Sequence, residues 1–229
     1  MAPCAEAGSP SADCYDAIRG AEAATIRYPD NPDNPPAAMW PLDIHTHDPK
    51  RYRQAIVNID PDMPMNPDGH YSVGLHPWDS GRPDAGNRIA AIEALARDPR
   101  IIMIGECGID THRGAPIPRQ IELLTQQAAI AQAAGKPLLL HIVGAFNEII
   151  HLRQQLRPSE PWIIHGFRGK PQLAQQLLRH GFDLSLGQHF NPSTAAIIPA
   201  SRLYTETDTS TLSIAEIRRR IDAARTLPT

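Results

Sequence analysis

From residue 41 onward, short apolar runs alternate with longer amphipathic stretches. The apolar runs are four to six residues long, and the stretches between them repeat apolar residues at three- and four-residue spacing. This alternation is typical of parallel β-strands connected by α-helices. It predicts eight strands, at Leu42–His47, Gln54–Ile59, Tyr71–His76, Ile101–Glu106, Pro137–Ile142, Trp162–His165, Phe182–Leu186 and Arg202–Glu206.

Helices are predicted where the amphipathic stretches are longest, and Gly135 and Gly181 follow two of them as helix stops. Eight parallel strands with helices between them predict an α/β fold of the (β/α)8, TIM-like barrel type. The predicted helices are Arg88–Ala96, Arg119–Ala134, Phe146–Leu156, Pro171–His180 and Ile214–Ala224.

We expect this barrel to be trimmed. Residues 48–53 and 60–70, which follow the first two strands, are too short or too rich in proline for full helices, and the chain ends soon after the eighth strand. The alternative is an open, doubly wound sheet. It is disfavoured because no glycine-rich nucleotide-binding loop follows the first strand.

Residues 1–40 differ in composition from the rest, since Pro, Ala, Ser, Asn and Asp dominate. We interpret them as an N-terminal appendage, partly disordered or packed on the barrel, with a short helix at about Ala12–Ile26. Residues 41–229 are then the barrel domain.

Composition excludes some classes of protein. Hydrophobic residues make up 41% of the 229 residues without an apolar run long enough to span a membrane. A net charge of −3 argues against a broad basic surface, although it leaves nucleic acid as a partner open. The three scattered cysteines and an N-terminus unlike a secretory signal predict a cytoplasmic protein.

Ionisable residues recur where the predicted strands end. The carboxyl ends of barrel strands converge on one face, where barrel enzymes build their sites. Repetition at equivalent positions therefore predicts one shared site. The residues are His45, His47, His76, Glu106, His141, His165, Glu206 and Asp208.

Histidines combined with carboxylates predict a centre for borderline divalent metals such as Zn²⁺, Mn²⁺, Co²⁺ or Ni²⁺. His45 and His47 are two residues apart on a strand, so both rings can point to one ion. The number of ligands favours two ions, with Glu106 as a bridge, and a water between them is expected to ionise and attack an electrophilic phosphorus or carbonyl. The predicted ligands are His45, His47, Glu106, His141, His165 and Asp208.

Six motifs in the same order resemble those of the TatD family of metal-dependent hydrolases, in the amidohydrolase superfamily. The resemblance implies a TIM-like barrel, one or two ions, Mg²⁺ among those accepted, and deoxyribonuclease activity with 3′ to 5′ exonuclease character. The motifs are Asp43-Ile-His-Thr-His47, Gly74-Leu-His-Pro77, Ile104-Gly-Glu-Cys-Gly-Ile-Asp110, His141, Ile164-His-Gly-Phe-Arg-Gly169 and Glu206-Thr-Asp208.

The resemblance also implies a role for each residue. His45 and His47 would hold the first metal, and His141 and His165 the second. Glu106 would bridge the ions, and Asp208 would act as ligand and water-orienting base, so that Asp208 and Glu106 are the predicted catalytic residues. Asp43 either holds one of the first-metal histidine rings or makes a purely structural hydrogen bond.

The chain departs from the family pattern where substrate would bind. Many members have an aromatic pair where this chain has Thr111-His-Arg113, and an arginine that is absent from Ile142-Val-Gly-Ala145. In these respects the chain resembles a shortened, less characterised branch of the family. Loop cations suit a phosphodiester, and Trp78 could either stack on a base or pack in the wall of the cleft. The predicted substrate contacts are His76, Trp78, Arg113 and Arg168.

Three functions follow from these observations. The first is a divalent-metal hydrolase that cleaves phosphodiesters, with a DNA end as substrate and no obligate protein partner. The second uses the same centre as an amidohydrolase or ester deacylase. The third is a non-catalytic, metal-binding interaction module.

Overall fold

The computed structural model describes residues 42–226. The predictions for residues 1–40, including their short helix, lie outside the described residues. Eight strands are present, as the hydrophobic pattern predicts. They are β1 (Asp43–Thr46), β2 (Ala55–Ile59), β3 (His70–Val73), β4 (Ile101–Asp110), β5 (Leu138–Val143), β6 (Trp162–Ile164), β7 (Phe182–Leu186) and β8 (Leu203–Thr205).

The eight strands form one parallel sheet in the order of the sequence. The sheet nearly closes on itself, because Thr46 and Asp208 form a parallel bridge between the end of β1 and the residues after β8. The amide of Asp208 donates to the carbonyl of His45 at 2.9 Å, and the hydroxyl of Thr205 donates to the carbonyl of Leu42 at 2.6 Å. The predicted TIM-like barrel is therefore confirmed, and the open doubly wound sheet is not observed.

Helices follow the later strands but not the first two, as expected for a trimmed barrel. Between β1 and β2 there is only a 3-10 turn, Pro49–Arg51, and residues 60–69 hold no helix. The helix Pro192–Ile197 was not predicted, and β4 continues four residues beyond its predicted end at Glu106. The helices are α1 (Ala85–Leu95), α2 (Ile117–Ala134), α3 (Phe146–Leu156), α4 (Pro171–Arg179), α5 (Pro192–Ile197) and α6 (Ile214–Thr226).

Two apolar clusters hold the barrel together. The larger one lies between the sheet and the surrounding helices, and includes Trp162, Phe182 and Leu177. The smaller one gathers side chains from six strands, and burial of each such side chain contributes roughly 1.5–3 kcal/mol. Its members are Ile44, Ile56, Met103, Leu139, Ile163 and Tyr204.

No helix within residues 42–226 is long and apolar enough to cross a membrane.

Candidate metal centre

The carboxyl ends of the strands carry a cluster of histidines and carboxylates. Each member is placed by its strand, because the parallel sheet brings all carboxyl ends to one face. His45 comes from β1, Glu106 from β4 and His141 from β5. His47 and His165 directly follow β1 and β6, and Asp208 is the third residue after β8. The six ligands predicted from sequence are thus brought together.

Glu106 lies at the centre of the cluster and is 3% exposed. Its Oε2 is 3.3 Å from Nε2 of both His45 and His47. Its Oε1 is 2.8 Å from Nδ1 of His141 and 2.7 Å from Nε2 of His165. The two oxygens of one carboxylate therefore face two separate sets of imidazoles, which is the arrangement that a bridging ligand requires.

His76 belongs to the cluster itself. Its Nε2 is 3.1 Å from Glu106 Oε1, and its ring centroid is 4.5 Å from that of His141. The sequence predicts His76 as a substrate contact, but its distances also allow it to be a ligand. Three groups could each hold an ion, with donor atoms within 4.8 Å of one another: His45 with Glu106 and His165, His45 with His47 and Asp208, and His76 with Glu106 and His141.

Asp208 closes the cluster on the side of β1. Its Oδ1 lies 3.8 Å from Nε2 of His45 and 3.6 Å from Nε2 of His47. The side chain is 28% exposed, whereas His45 is buried. A carboxylate that touches both the buried histidine and solvent can bind an ion and accept a proton from water.

Two buried carboxylates lie behind the histidines on the other side. Glu206 Oε1 is 3.3 Å from Nδ1 of His165 and accepts the amide of Gly166 at 2.7 Å, while its other oxygen accepts the hydroxyl of Ser185. Asp110 Oδ2 is 3.5 Å from Nε2 of His141. Such carboxylate–histidine contacts orient the rings of metal ligands. The sequence shows Glu206 and Asp110 near strand ends but not these contacts.

Asp43 has a structural role and does not hold a histidine. Its carboxylate accepts the amide of Thr207 at 2.9 Å and the hydroxyl of Thr207 at 2.7 Å. Burial raises its pKa, although these hydrogen bonds oppose the rise. Asp43 therefore fixes the residue that precedes Asp208. Cys107 is buried as a core residue, and burial raises the pKa of its thiol.

Burial and neighbouring charges shift the pKa values of the cluster residues in opposite directions. Burial alone would raise the pKa of Glu106, but the neighbouring His165 and hydrogen bonding with His141 and His165 hold it well below its usual range. Burial alone would lower the pKa of His165, but Glu106 and Glu206 raise it well above its usual value. Glu106 is therefore a charged carboxylate in a buried position, where a cation is favoured.

The imidazole of His45 supplies a test of whether a metal fits. His45 is 0% exposed, yet neither of its ring nitrogens has a hydrogen-bond partner. Its Nε2 faces Glu106 at 3.3 Å without the direction that a hydrogen bond requires. A buried nitrogen without a partner is costly, and an ion between Nε2 and the carboxylates would satisfy it. The residues therefore fit a divalent cation.

The predicted substrate contacts surround the cluster. Trp78 is 48% exposed, and the guanidinium of Arg113 lies over its ring, 4.2 Å from the centroid. Arg168 is exposed and lines a pocket of about 130 Å³ between the loops that follow β6, β7 and β8. Within residues 42–226, Arg168 has no ion pair. The pocket also contacts Gln188, Ser210 and the candidate ligand Asp208, so it opens onto the cluster.

The fold and this site define a class: an eight-stranded α/β barrel with a histidine–carboxylate cluster at the carboxyl ends of its strands. The family described as TatD related DNase matches residues 62–223, which is more than half of the chain. The chain belongs to this TatD family.

Similar proteins include several curated exonucleases. The 3'-5' ssDNA/RNA exonuclease TatD of Cronobacter turicensis is 30% identical over 154 residues, which cover 60% of this chain and 56% of that protein. The protein of the same name from Edwardsiella piscicida is 31% identical over 69% of this chain and 64% of its own length. This chain therefore spans less than two thirds of each of these relatives.

Solved structures share the fold at lower sequence identity. YJJV, a TatD homolog from Escherichia coli K12, superimposes with a TM-score of 0.65 at 20% identity, over 81% of this chain and 90% of its own. A TatD family hydrolase from Entamoeba histolytica has a TM-score of 0.51 at 18% identity, over 61% of this chain and 51% of its own. These likenesses support the barrel assignment.

Proposed function

We propose that the protein is a divalent-metal-dependent nuclease that removes nucleotides from the 3′ end of single-stranded DNA or RNA. The observation that carries this proposal is the division of histidines between the two oxygens of Glu106, at 3.3 Å on one side and 2.7–3.1 Å on the other. Membership of the TatD family and the names of its curated relatives support the substrate.

Two ions fit the proposed centre better than one. His45, His47 and Asp208 would hold the first, and His141 and His165 the second, with Glu106 between them. The mixture of imidazole and carboxylate suits Zn²⁺, Mn²⁺, Co²⁺ or Ni²⁺, and Mg²⁺ would use the carboxylates. Bound divalent ions would lower the pKa of water and stabilise the charge on the attacked phosphate.

Side chains of the protein would accept the proton, orient the histidine rings and bind the substrate. Asp208 lies between buried His45 and solvent, so its carboxylate is placed to accept the proton of an attacking water. Glu206 and Asp110 would keep His165 and His141 in orientation. Arg168, at the mouth of the pocket beside Asp208, would bind a phosphate of the strand through its guanidinium.

Nucleotide release tests the proposal. Single-stranded DNA and RNA labelled at the 5′ end are incubated with purified protein and Mg²⁺, Mn²⁺, Zn²⁺ or Co²⁺, and the products are resolved by length. We expect shortening from the 3′ end that chelation abolishes and added metal restores. Asp208→Asn should lower kcat/KM by roughly 10²–10⁴-fold, the range for loss of a general base.

Asp222→Asn is the matched control, because this carboxylate is on α6 and is 63% exposed. It should retain the activity of the wild-type protein. Absence of nucleotide release with every ion would overturn the proposal. Turnover of a panel of esters or amides under the same conditions would then support the amidohydrolase or deacylase alternative.

A further inference from the structure

Trp78 is a large apolar side chain that stays exposed beside the candidate metal centre. It lies on the 3-10 turn Pro77–Asp79, in the loop after β3, and is 48% exposed. Its ring meets that of His76 edge to face at 4.7 Å between centroids and lies 5.8 Å from that of His141. An aromatic surface open to solvent therefore borders two histidines of the cluster.

The indole is held in one orientation. Its Nε1 donates to Oδ2 of Asp110 at 2.6 Å, and the other oxygen of Asp110 accepts the amide of His112 at 2.8 Å. Asp110 is buried, with only 4% of its surface exposed. Because its polar atom is already bound to the protein, Trp78 offers solvent an apolar ring of fixed position, which lowers the entropic cost of stacking.

A cation accompanies the ring. The guanidinium carbon of Arg113 lies 4.2 Å from the centroid of Trp78. A guanidinium that stacks on an aromatic face keeps its N–H groups directed outward in its own plane, where they can bind phosphate oxygens. An aromatic ring and a phosphate-binding cation next to each other match the two parts of a nucleotide.

We propose that Trp78 and Arg113 form a nucleobase-stacking site for the terminal nucleotide of a single strand, with Asp110 fixing the indole. This site deepens the proposed nuclease function and rests on it. The terminal base would stack on the face of Trp78 opposite Arg113, while Arg113 binds the adjoining phosphate. Duplex ends would bind poorly, because a paired and stacked terminal base is unavailable to Trp78.

Binding without metal tests the site separately from hydrolysis. Wild-type protein and Trp78→Ala, both in chelator, are titrated against a labelled single strand with an intact 3′-terminal nucleotide and against one whose 3′-terminal nucleotide is abasic. We expect removal of the base to weaken binding to the wild-type protein by about 5- to 150-fold, the loss of one base–aromatic stack. Trp78→Ala should bind the intact strand more weakly than the wild-type protein does, by the same factor. Its affinity for the abasic strand should equal that of the wild-type protein.

Two controls separate stacking from misfolding. Trp78→Phe keeps a ring and should recover most of the affinity, although it lacks the bond to Asp110. Leu42→Ala alters a side chain that is 53% exposed just before β1, at the opposite end of the barrel, and should bind both strands as the wild-type protein does.

Equal affinity of the wild-type protein for both strands would overturn the inference. So would a Trp78→Ala variant in which removal of the terminal base weakens binding as much as it does in the wild-type protein. Failure of the proposed function is distinguishable: base-dependent binding with no nucleotide release in metal contradicts the nuclease activity alone. Release that ignores the terminal base contradicts the stacking site alone.

Discussion

Among the individual residues, buried carboxylates determine the charge of the site. Glu106 faces five histidine rings. Asp110 and Glu206 lie behind two of them. A buried negative charge is unfavourable unless cations or donors surround it. Divalent cations bound in this cluster would compensate several buried carboxylates at once.

A carboxylate far from the cluster gives a prediction about pH. Asp98 accepts the guanidinium of Arg100 at 2.7 and 3.0 Å and the amide of Arg100 at 2.9 Å. The side-chain bond to Arg100 is the main reason that its pKa falls from 3.8 to about 2. A lowered folded-state pKa stabilises the fold above the unfolded value, and this contribution is lost as pH falls from about 4 to about 2.

Asp98→Asn should therefore lower the free energy of unfolding at pH 7 by about 1 kcal/mol, a figure reduced for solvent screening. Urea unfolding at pH 7, 5 and 3 should show the difference from wild type shrinking below pH 4. Glu93→Gln is the control, because that side chain is exposed on α1 and has no ion pair within residues 42–226. A difference that stays constant from pH 7 to pH 3 would contradict the ion-pair explanation.

The sequence predicts which residues approach the site better than it predicts their contacts. His45, His47 and Glu106 could be assigned because strand ends converge in any parallel barrel. The contact of His76 with Glu106 and the bond from Trp78 to Asp110 could not, since they depend on the paths of loops and on side-chain rotamers. These features have no periodic signal in the sequence.

At the scale of the element, β4 organises the centre. It runs ten residues, Ile101–Asp110, and carries Glu106 and Asp110 on one strand. The sequence predicts this strand only to Glu106. Gly105 lies within the predicted strand and Gly108 two residues beyond it, and both are weak strand formers. Both glycines have positive φ, 138° and 150°, and the register with β5 shifts between Ile104 and Cys107. The two glycines that allow β4 to continue to Asp110 are therefore also the residues that make this continuation hard to predict from the sequence.

Gly108 gives a prediction that links β4 to stability and to metal binding. A Cβ there would overlap the carbonyl oxygen of His141, and the φ of 150° disfavours any other residue. Gly108→Ala should lower the free energy of unfolding by about 1–3 kcal/mol and also weaken metal binding, because the backbone of His141 must move. Denaturant unfolding and metal titration measure the two effects.

Gly86→Ala is the matched control for that substitution. Gly86 is in α1, and a Cβ there would meet nothing within 4 Å. This change should stabilise the protein by about 0.4–1 kcal/mol by restricting the unfolded chain. Equal stability of the two variants would contradict the packing argument at Gly108.

The short helix α5 has too little sequence signal to be predicted. It has six residues, begins at Pro192 and is capped by the side chain of Asn191, which accepts the amide of Ser193 at 3.1 Å. One and a half turns hold too few apolar positions for a helical period to be recognised. Longer helices such as α2 and α3 were predicted to within two residues because their period repeats several times.

In the whole molecule, the contacts that close the barrel also bring the candidate metal ligands together. The bridge between Thr46 and Asp208 joins the first strand to the residues after the last, and its amides hold His45 and Asp208 side by side. Residues that are 163 positions apart thereby become neighbours within one candidate ion site. Damage to either edge of the sheet should therefore affect metal binding before it affects the helices on the far side.

Anomalous diffraction can show whether this cluster holds divalent cations. Crystals grown with Mn²⁺ or Zn²⁺ are measured on both sides of the absorption edge of the metal. We expect an anomalous peak bounded by His45, His47 and Asp208, and a second peak on the other side of Glu106 next to His141. Absence of any peak within the cluster, at metal concentrations that support nucleotide release, would contradict this expectation.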